Sequence, residues 1–558
     1  MNRAVLILGA ASAVMVLAAG LRLWDLGNRP MHPDEAVQGM KFGRLLERGE
    51  YAYDPREYHG PALNYLTLPV ARLGGRRKLN AVTSTGLRLL PALCGVALVA
   101  MTWLVADGLG RRAALAAAAL AAVSPAMVFY SRYYIAEALL VCFGFGGITA
   151  LWRWGRESLP GRREGRTSGS ETRAAWLPAG IGWLIPAGVF LGLTHATKET
   201  AVVVLFAMIA GVAASAGWAR CERDEAPRID WAHLVPAVAL VLVVAAGVSV
   251  LLFSSFFSNP EGPLDSLRTY WYYLGRAAGR RDAAWHLHPW HYYLRVLGWY
   301  HRPGGAVWTE VFILGLGAVG FVAGCRRRRG GKADRHLVRF LGCYTAVLML
   351  VYSAIPYKTP WCALGFLHGM VLLAGVGADE LLRRAGRGWP LIAVAGLLGV
   401  GWLHLAWQAR RASFVAYETP SNPYVYAQAT EEAERLAGAV RELAAADRPG
   451  GPRPVQVICS GNDYWPLPWY LRGLESVGWH GSLPRGPLAP IVVLSSDLEG
   501  GLRDRVFGAG PGGHGRWLYL RVPPPGSRRR EGWTLRPNVP LRLYVRSDAW
   551  EASGGGRR

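Results

Sequence analysis

The chain has 558 residues, of which 52% are hydrophobic and 18% are charged, and its mean hydropathy is +0.17. This composition excludes an ordinary soluble protein and predicts a polytopic membrane protein with a smaller soluble region. The net charge of +24 lies largely in short Arg-rich blocks between apolar runs, which is the pattern of cytoplasmic loops and not of a nucleic-acid-binding surface. The seven cysteines form no CxxC pair, so the sequence indicates neither a disulfide framework nor a zinc cluster.

Eleven apolar runs are each long enough, at about twenty residues, to cross a lipid bilayer. They cover residues 4–21, 86–106, 113–130, 133–152, 176–193, 200–218, 231–257, 306–324, 337–354, 361–381 and 389–407. The first run lacks a small-residue cleavage site, which predicts a retained helix and not a signal peptide. Arginines concentrate in alternate loops, which the positive-inside rule assigns to the cytoplasm. Residues 22–85, residues 258–305 and everything after residue 407 are therefore expected on the outer side of the plasma (inner cell) membrane.

The first outer loop, residues 22–85, carries two adjacent carboxylates, Asp34 and Glu35, in the segment HPDEA. One carboxylate, preferably Asp34, could remove a proton from an attacking hydroxyl, while its neighbour orients the acceptor or binds a metal. Two acids side by side repel each other, so one of them is expected to titrate high, as a base requires. The structural alternative is that Asp34 caps a helix over residues 35–47 and that Glu35 is a first-turn acid.

The loop 258–305 is rich in aromatic residues, with the segments TYWYYLG and AWHLHPWHYYL. Trp and Tyr at this density favour the headgroup level of a membrane, which predicts a short amphipathic helix lying on the bilayer surface. His286, His288 and His291 form the pattern HxHxxH. This spacing permits a divalent metal but matches no strong metal signature, and the alternative is an acceptor-binding or interfacial role.

The composition changes after about residue 408, where a transmembrane domain (1–408) is predicted to give way to an outer domain (409–558). Residues 424–446 have the pattern of an amphipathic helix. Short strands are predicted at residues 454–460, 490–495, 516–522 and 541–545, separated by Gly and Pro turns. These elements predict a small α/β domain with a disordered tail after Ser553. Its aromatic segment YWPLPWY, which contains Trp465, is expected either to stack on sugars or to rest on the membrane.

Six segments follow one another along the chain: HPDEA, YDPREYHGPALNYLT, FYSRYYIAEALL, THATKETA, IPYKTPW and DYWPLPWYLR. Together they resemble the dolichyl-phosphate-mannose protein mannosyltransferase superfamily (glycosyltransferase family 39). The resemblance is greatest to a bacterial and archaeal branch labelled flippase-activity-associated proteins. It implies an α-helical polytopic membrane protein of the GT-C fold, with about eleven transmembrane helices and a small C-terminal extracytoplasmic α/β domain.

The resemblance also implies an enzyme that transfers a hexosyl or pentosyl group from a polyprenyl-phosphate donor to an acceptor hydroxyl. The first-loop aspartate of that family is the proposed base, a role that falls here to Asp34, and direct displacement would invert the anomeric centre. The sequence contains neither a Rossmann-type nucleotide fingerprint nor a P-loop, which fits a lipid-linked donor.

The phosphate of such a donor needs cations. Arg132, Lys198 and Lys358 each lie in a short outer turn between apolar runs, where a charge needs an anionic partner or a route to water. The alternative for each is snorkelling to lipid headgroups. Glu137 and Glu199 are either substrate-binding residues or the salt-bridge partners of Arg132 and Lys198.

The remaining substrate-binding candidates are polar or aromatic side chains of the same outer segments: His32, Tyr58, His59, His288, Tyr357 and Trp465. No cofactor is required by the sequence, although a divalent metal is permitted. The partners implied are the lipid-linked donor, an acceptor and membrane lipid, without nucleic acid. Two other functions fit the same pattern: a carrier or flippase accessory that presents lipid-linked sugar without transferase chemistry, and a scaffold whose outer domain recruits a partner.

Overall fold

The computed structural model of the protein describes residues 3–56, 59–158, 180–222, 231–277, 286–326, 333–445, 452–507, 519–526 and 532–553. Up to Phe414 these residues form helices and their connections, and beyond Phe414 they form a mixed sheet with further helices. The predicted disordered tail after Ser553 lies outside the described residues. The chain is therefore a helical membrane protein that carries a small α/β region at its C-terminal side.

The helices of the first part follow the predicted apolar runs, with two additional helices after the first run and two in the aromatic loop. They are α1 (Arg3–Leu23), α2 (Pro33–Arg48), α3 (Ala62–Leu73), α4 (Ser84–Met101), α5 (Ala106–Leu109), α6 (Arg111–Val123), α7 (Pro125–Ser131), α8 (Glu137–Ser158), α9 (Ile181–Thr197), α10 (Ala201–Cys221), α11 (Trp231–Phe253), α12 (Gly262–Ala277), α13 (Tyr292–Gly298), α14 (Val311–Cys325), α15 (Arg335–Ala354), α16 (Leu364–Ala385) and α17 (Trp389–Phe414).

By length and composition, 8 helical stretches within the described residues could cross a membrane, or up to 9 if the bent pair α6 and α7 is one span. The helices of that pair meet at 59°, where Pro125 begins α7. Two shorter apolar helices, α9 and α14, coincide with two more of the predicted runs. Each of the eleven predicted runs thus overlaps a helix, while the number of actual spans stays a prediction.

Small residues let the helices around α16 pack closely. A Cβ atom added at Gly377 would lie 2.1 Å from Leu316 O of α14, and one added at Gly375 would lie 2.2 Å from Ala113 O of α6. Glycine at both positions therefore allows backbones to approach at a distance that any larger residue would prevent. This packing holds α16 against α14 and α6, and the segment just before α16 contributes Thr359, Trp361 and Cys362 to the cavity described below.

Helix α2 begins at Pro33 and has His32 as its N-cap, two residues earlier than the predicted start with Asp34 as cap. His32 Nδ1 accepts a hydrogen bond from Asp34 N (3.1 Å), and Glu35 Oε2 accepts one from His32 N (2.9 Å). The prediction was wrong because an imidazole can also act as the capping acceptor, and because proline, which lacks an N–H, suits the first helical position.

In the aromatic loop, α12 confirms the predicted amphipathic helix. Four of its large apolar side chains are exposed at spacings of three and four residues: Leu264, Leu267, Trp271 and Leu274. Such a stripe on one face of a helix suits an interfacial position, with the apolar side chains in the lipid and the opposite face on the protein.

The C-terminal region contains a six-stranded sheet of order β2-β1-β3-β6-β4, with β5 also paired to β6. Its elements are α18 (Glu431–Ala445), β1 (Val455–Ile458), α19 (Leu467–Tyr470), β2 (Val477–His480), β3 (Ile491–Ser495), α20 (Glu499–Phe507), β4 (Tyr519–Val522), β5 (Trp533–Arg536), β6 (Val539–Arg546) and α21 (Ser547–Ala552). Strand β1 runs parallel to β2 and β3, and β6 runs antiparallel to β3, β4 and β5.

Two of these strands, β2 and β5, were not predicted, because each has only four residues. Even in β5, where Trp533 and Leu535 alternate with polar residues, so short a run gives a weak periodicity signal. Helix α18 begins at Glu431 and not at residue 424. The residues before it pass through the protein interior in a non-helical conformation, with Tyr424 and Gln428 fully buried. Buried side-chain hydrogen bonds, and not helix propensity, determine the conformation of this segment.

The α/β region packs directly on α2. Ala36 and Phe42 of α2 share one hydrophobic core with Leu436 of α18 and Trp469 of α19. A Cβ atom at Gly39 would lie 2.8 Å from the Trp469 ring, so the absence of a side chain at this position lets the indole contact the helix backbone. The helix that carries the predicted acidic pair is thus held between the membrane helices and the C-terminal sheet.

Candidate active site

A cavity of about 270 Å³ opens beside α2, and it is called the α2 cavity below. Its wall is formed by α2, by the connections α9–α10 and α15–α16, and by α12. Its polar and aromatic lining side chains are Asp34, Gln38, Lys41, His59, Lys198, Glu199, Tyr273, Tyr357 and Trp361. Residues from four distant parts of the sequence therefore meet in one cavity, and five of the predicted site residues are among them: Asp34, His59, Lys198, Glu199 and Tyr357.

Asp34 lies on the cavity wall with an accessible carboxylate. Its side chain is 51% exposed, and Val37, Gln38 and Lys41 line the same cavity. These positions follow Asp34 by three, four and seven residues, which is the spacing of one face of an α-helix. One face of α2 thus presents a carboxylate and an ammonium group to the same space.

Glu35 has the opposite environment. Its side chain is fully buried, and its two oxygens accept bidentate hydrogen bonds from Arg88 Nε and Nη2, both at 2.7 Å. Tyr134 N donates a further hydrogen bond to Glu35 Oε1 (2.8 Å). Burial alone would raise the pKa of Glu35, but the charge and hydrogen bonds of Arg88 outweigh it and lower the pKa to about 2.

The expectation that one acid of the pair titrates high is therefore not met by Glu35, because the paired guanidinium stabilises its charged form. Glu35 is also not among the described residues that line the α2 cavity. Consecutive residues of an α-helix point about 100° apart, since a turn takes 3.6 residues. This rotation separates the two neighbouring carboxylates into a solvent-accessible one and a buried one.

Two ion pairs include cavity-lining residues, namely His59, Lys198 and Glu199. His59 Nδ1 lies 2.9 Å from Glu199 Oε2, and Lys198 Nζ is paired with Glu137 Oε1. Burial alone would raise the pKa of Glu199, but His59 and Lys198 outweigh it and lower this pKa. Glu137 therefore pairs with Lys198 and not with Arg132, and Glu199 pairs with His59, which corrects the partners that the sequence suggested.

Arg132 and Lys358 were predicted to bind phosphate, but both are buried and neither is among the described residues that line the α2 cavity. The Arg132 guanidinium donates to the carbonyls of Trp24 (2.6 Å) and Asp25 (2.7 Å). The Lys358 ammonium donates to the carbonyls of Ile355 and His288, the latter at 3.0 Å. Both cations thus neutralise carbonyl dipoles at the ends of helices and hold connecting segments together.

The histidines of the HxHxxH pattern do not converge. The His286 ring stacks on the Tyr357 ring with 4.6 Å between the ring centroids, whereas the His288 ring stacks on the Tyr292 ring with 4.2 Å between the centroids. Within the described ranges there is no group of three or more His, Cys, Asp or Glu residues that could hold a metal ion. The spacing that permits a metal in the sequence therefore corresponds here to aromatic stacking.

The last two predicted residues are placed differently. Trp465 lies in the C-terminal region, partly buried against the core that α2 and α18 share, and is not among the described lining residues of the cavity. Tyr58 lies outside the described residues. His32 is buried at the start of α2, where its Nε2 hydrogen-bonds to Tyr426 O at 2.7 Å.

Three important residues were not predicted. Lys41 and Gln38 could have been found from the helical spacing that starts at Asp34. Arg88 could have been found as a charged residue inside an apolar run, where a charge needs a partner. The pairing of Arg88 with Glu35 in particular needs the packing of α4 against the first loop, which no local pattern reveals.

The fold and this cavity define a polytopic membrane protein whose polar site lies at the ends of its helices. Comparison with solved structures shows which fold this is. ArnT from Cupriavidus metallidurans bound to undecaprenyl phosphate has a TM-score of 0.56 at 15% identity, with 97% of each chain covered. Archaeal oligosaccharyltransferase AglB from Archaeoglobus fulgidus, in complex with an inhibitory peptide and a dolichol-phosphate, has a TM-score of 0.55 at 12% identity, covering 98% of this chain and 77% of that chain.

At these identities the similarity shows the fold, and it confirms the predicted GT-C architecture. Residues 63–258 also match the family model of dolichyl-phosphate-mannose-protein mannosyltransferases. A search among curated proteins finds no match. The narrower branch of flippase-activity-associated proteins stays a prediction.

Proposed function

We propose that the protein is an integral membrane glycosyltransferase that moves a sugar from a polyprenyl-phosphate carrier to an acceptor hydroxyl. The observation that carries this proposal is the accessible Asp34 carboxylate on a cavity that Lys41 and Lys198 also line. The family matched over residues 63–258 is named for mannosyl transfer from a dolichyl phosphate, which supports a lipid-linked donor. ArnT with its undecaprenyl phosphate and AglB with its dolichol-phosphate add support from the shared fold.

In this proposal Asp34 is the general base. The acceptor oxygen forms a bond to the anomeric carbon while its proton passes to the Asp34 carboxylate. The bond between the anomeric carbon and the phosphate oxygen breaks, and its electron pair leaves with the phosphate on the carrier. A single displacement of this kind inverts the anomeric centre, and the transferred group is a hexosyl or pentosyl unit.

The leaving phosphate gains negative charge, so cations in the cavity stabilise the transition state more than the bound donor. Lys41 and Lys198 are the lysines that line the cavity. His59 is oriented by its hydrogen bond to Glu199, and Glu137 fixes the position of the Lys198 ammonium. Tyr357 contributes an aromatic wall against which a sugar or isoprenoid unit can pack.

Residues around the cavity hold Asp34 in place without contacting the substrate. Glu35 and Arg88 fix the first turn of α2 against α4, while Arg132 and Lys358 fix neighbouring connections. His288 and Trp465 likewise belong to the packing of the surrounding segments. We assign all of these residues positioning roles. For Glu35 this replaces a predicted catalytic role, for Arg132 and Lys358 a predicted phosphate-binding role, and for His288 and Trp465 a predicted substrate-binding role.

We also propose that the cavity and the C-terminal α/β domain lie on the extracytoplasmic side of the plasma membrane. The Arg-rich loops at the opposite helix ends support this orientation through the positive-inside rule. The domain division at residue 408 belongs to the same proposal, although α17 continues to Phe414.

The test is sugar transfer by the purified protein from a panel of radiolabelled polyprenyl-phosphate sugars, with simple hydroxyl acceptors. We expect turnover of at least one donor by the wild type. We expect its loss in Asp34→Asn, with donor binding retained. A carrier or flippase accessory would instead bind or move the donor without turnover, and Asp34→Asn would leave this transport intact. Donor binding without turnover across donors and acceptors would refute the transferase proposal.

A further inference from the structure

A block of positive charge lies where α3 is connected to α4, next to the C-terminal half of α2. Arg72 lies in the last turn of α3, and the turn between α3 and α4 contains Arg76, Arg77 and Lys78. The sequence between residues 58 and 106 contains no Asp or Glu. Such a block is unusual in a loop that the positive-inside rule assigns to the outer side. It therefore calls for a local anionic partner.

The C-terminal region adds positive charge to this turn. Arg472 donates hydrogen bonds to Leu79 O (3.2 Å) and Val82 O (2.7 Å), and its pKa falls to about 10 through burial and the proximity of Arg441. Among the described residues, one carboxylate contacts the turn. It belongs to Glu47, whose Oε1 accepts a hydrogen bond from Leu79 N at 2.6 Å. The turn thus keeps a large excess of positive charge.

An apolar crevice of about 190 Å³ lies between α3 and α4. Its apolar wall includes Val70, Ala71, Val82, Leu87 and Leu89, and Arg76 is the cation of the turn among its described lining residues. The Arg76 guanidinium is held in this position by a hydrogen bond from Nη1 to Thr83 Oγ1 (3.0 Å). A cation at the mouth of an aliphatic crevice matches the two chemical parts of a phospholipid.

The height of the crevice fits the headgroup region of a bilayer. Helix α4 is a candidate membrane span that begins at Ser84, immediately after the basic turn. Leu73, at the end of α3, is 91% exposed, and Trp24, at the end of the first span, is 73% exposed. An exposed Leu or Trp at a span end is favourable when it lies in the membrane interface.

We propose that the crevice between α3 and α4, with Arg76, Arg77 and Lys78, is a binding site for one anionic phospholipid. The phosphate group binds the cations of the turn, and one acyl chain lies in the crevice. This site is separate from the α2 cavity, since the two share no described lining residue. It therefore does not depend on the proposed transferase activity.

The test measures lipid binding to the purified full chain by native mass spectrometry. Dioleoyl phosphatidylglycerol is titrated against dioleoyl phosphatidylcholine, which has the same chains but no net charge. The wild type should retain one phosphatidylglycerol in preference. The triple variant Arg76→Gln/Arg77→Gln/Lys78→Gln should bind it about a hundredfold more weakly, because each cation near an anionic lipid contributes about a factor of five.

Two further variants separate the parts of the proposal. The matched control Arg111→Gln/Arg112→Gln/Arg387→Gln removes three exposed cations elsewhere and should leave the preferential binding unchanged. Val70→Trp keeps every cation but fills the crevice, and it should also weaken phosphatidylglycerol binding.

Equal retention of both lipids by the wild type, or undiminished binding by the triple variant, would overturn the proposal. Displacement of the lipid by millimolar inorganic phosphate, or no effect of Val70→Trp, would show an anion site without an acyl-chain site and would overturn it too.

Discussion

Two charged regions meet at the first turn of α2, and they differ in their access to solvent. The cavity face carries Asp34, with a half-exposed carboxylate, beside Lys41. The buried side of this turn carries Glu35. Its two oxygens accept hydrogen bonds from Arg88 and from the backbone N–H groups of His32 and Tyr134. A carboxylate that accepts hydrogen bonds on both oxygens from fixed donors is stabilised in its charged form and is poorly suited to take up a proton.

The comparison teaches that adjacency in sequence does not imply a shared role. The pair Asp34-Glu35 suggests one catalytic unit, but the helical rotation directs one side chain to the cavity and the other to α4. The same holds for the cations. Lys41 and Lys198 line the cavity, whereas Arg132 and Lys358 bind backbone carbonyls. The predictions below test this division between the two regions.

The largest effect is expected at Arg88. Replacement by Met leaves the Glu35 carboxylate buried without its cation, and breaking such a pair from one side destabilises a protein by about 3–5 kcal/mol. The melting temperature and the yield of folded protein in detergent should both fall strongly. The control Arg111→Gln, at an exposed helix start, should change stability by less than about 0.5 kcal/mol. Equal stability of the two variants would contradict the structural role of the buried Glu35–Arg88 pair.

The Glu35–Arg88 pair also predicts an acid sensitivity. The pKa of Glu35 is lowered from 4.5 to about 2, so its contribution to stability is present above about pH 4.5 and is lost as the pH falls towards 2. A shift of this size corresponds to about 3 kcal/mol. The wild type should therefore lose its advantage in melting temperature over Glu35→Gln across this pH range. If the difference in melting temperature between the two proteins stayed constant from pH 7 to pH 2, the Glu35–Arg88 pair would not be the source of this stability.

Replacement of the cavity cation Lys41 should weaken donor binding and leave the stability of the fold unchanged. Lys41→Met should weaken binding of a polyprenyl-phosphate sugar about 10- to 100-fold, since a charge-assisted hydrogen bond to phosphate contributes about 1.5–3 kcal/mol. The comparison variant is Lys358→Met, which removes a cation that does not itself line the cavity and that binds the carbonyls of Ile355 and His288. It should lower the melting temperature and change donor affinity much less than Lys41→Met does. Donor affinity that depends on Lys358 and not on Lys41 would reverse the assignment.

A smaller effect is expected where the C-terminal domain contacts the first loop. Met31 N, just before the start of α2, donates a hydrogen bond to Tyr470 Oη at 2.7 Å. Tyr470→Phe leaves this buried N–H without its acceptor, which should reduce stability by about 1–2 kcal/mol. Turnover should fall with little change in donor affinity, because the start of α2 positions Asp34. The control Tyr464→Phe, at a partly exposed site of the same segment, should change neither quantity.

Much of the architecture could be predicted from the sequence, because it depends on local patterns. Apolar runs of about twenty residues identified the candidate membrane helices, and the density of Trp and Tyr in the loop 258–305 indicated the amphipathic helix α12. The α/β character of the C-terminal region was also apparent, except for two four-residue strands. These features need no knowledge of which segments meet in space.

The division of labour among charged residues could not be predicted in the same way. The pairs Glu35–Arg88, Glu137–Lys198 and Glu199–His59 join residues that are 53 to 140 positions apart. Their partners depend on how α4, α8 and the α9–α10 connection pack around the first loop. A sequence motif can show that a charge is present, but it does not show whether that charge is exposed to substrate or neutralised by the fold.

The central claim, that Asp34 performs chemistry while Glu35 supports structure, is tested most directly by comparing Asp34→Asn with Glu35→Gln. For each purified variant, the melting temperature, donor binding and sugar transfer are measured side by side. We expect Asp34→Asn to melt like the wild type, to bind donor and to lose transfer by about 10²–10⁴-fold, the usual contribution of a general base. We expect Glu35→Gln to melt at a clearly lower temperature. An active Asp34→Asn, together with a fully stable and inactive Glu35→Gln, would contradict this claim.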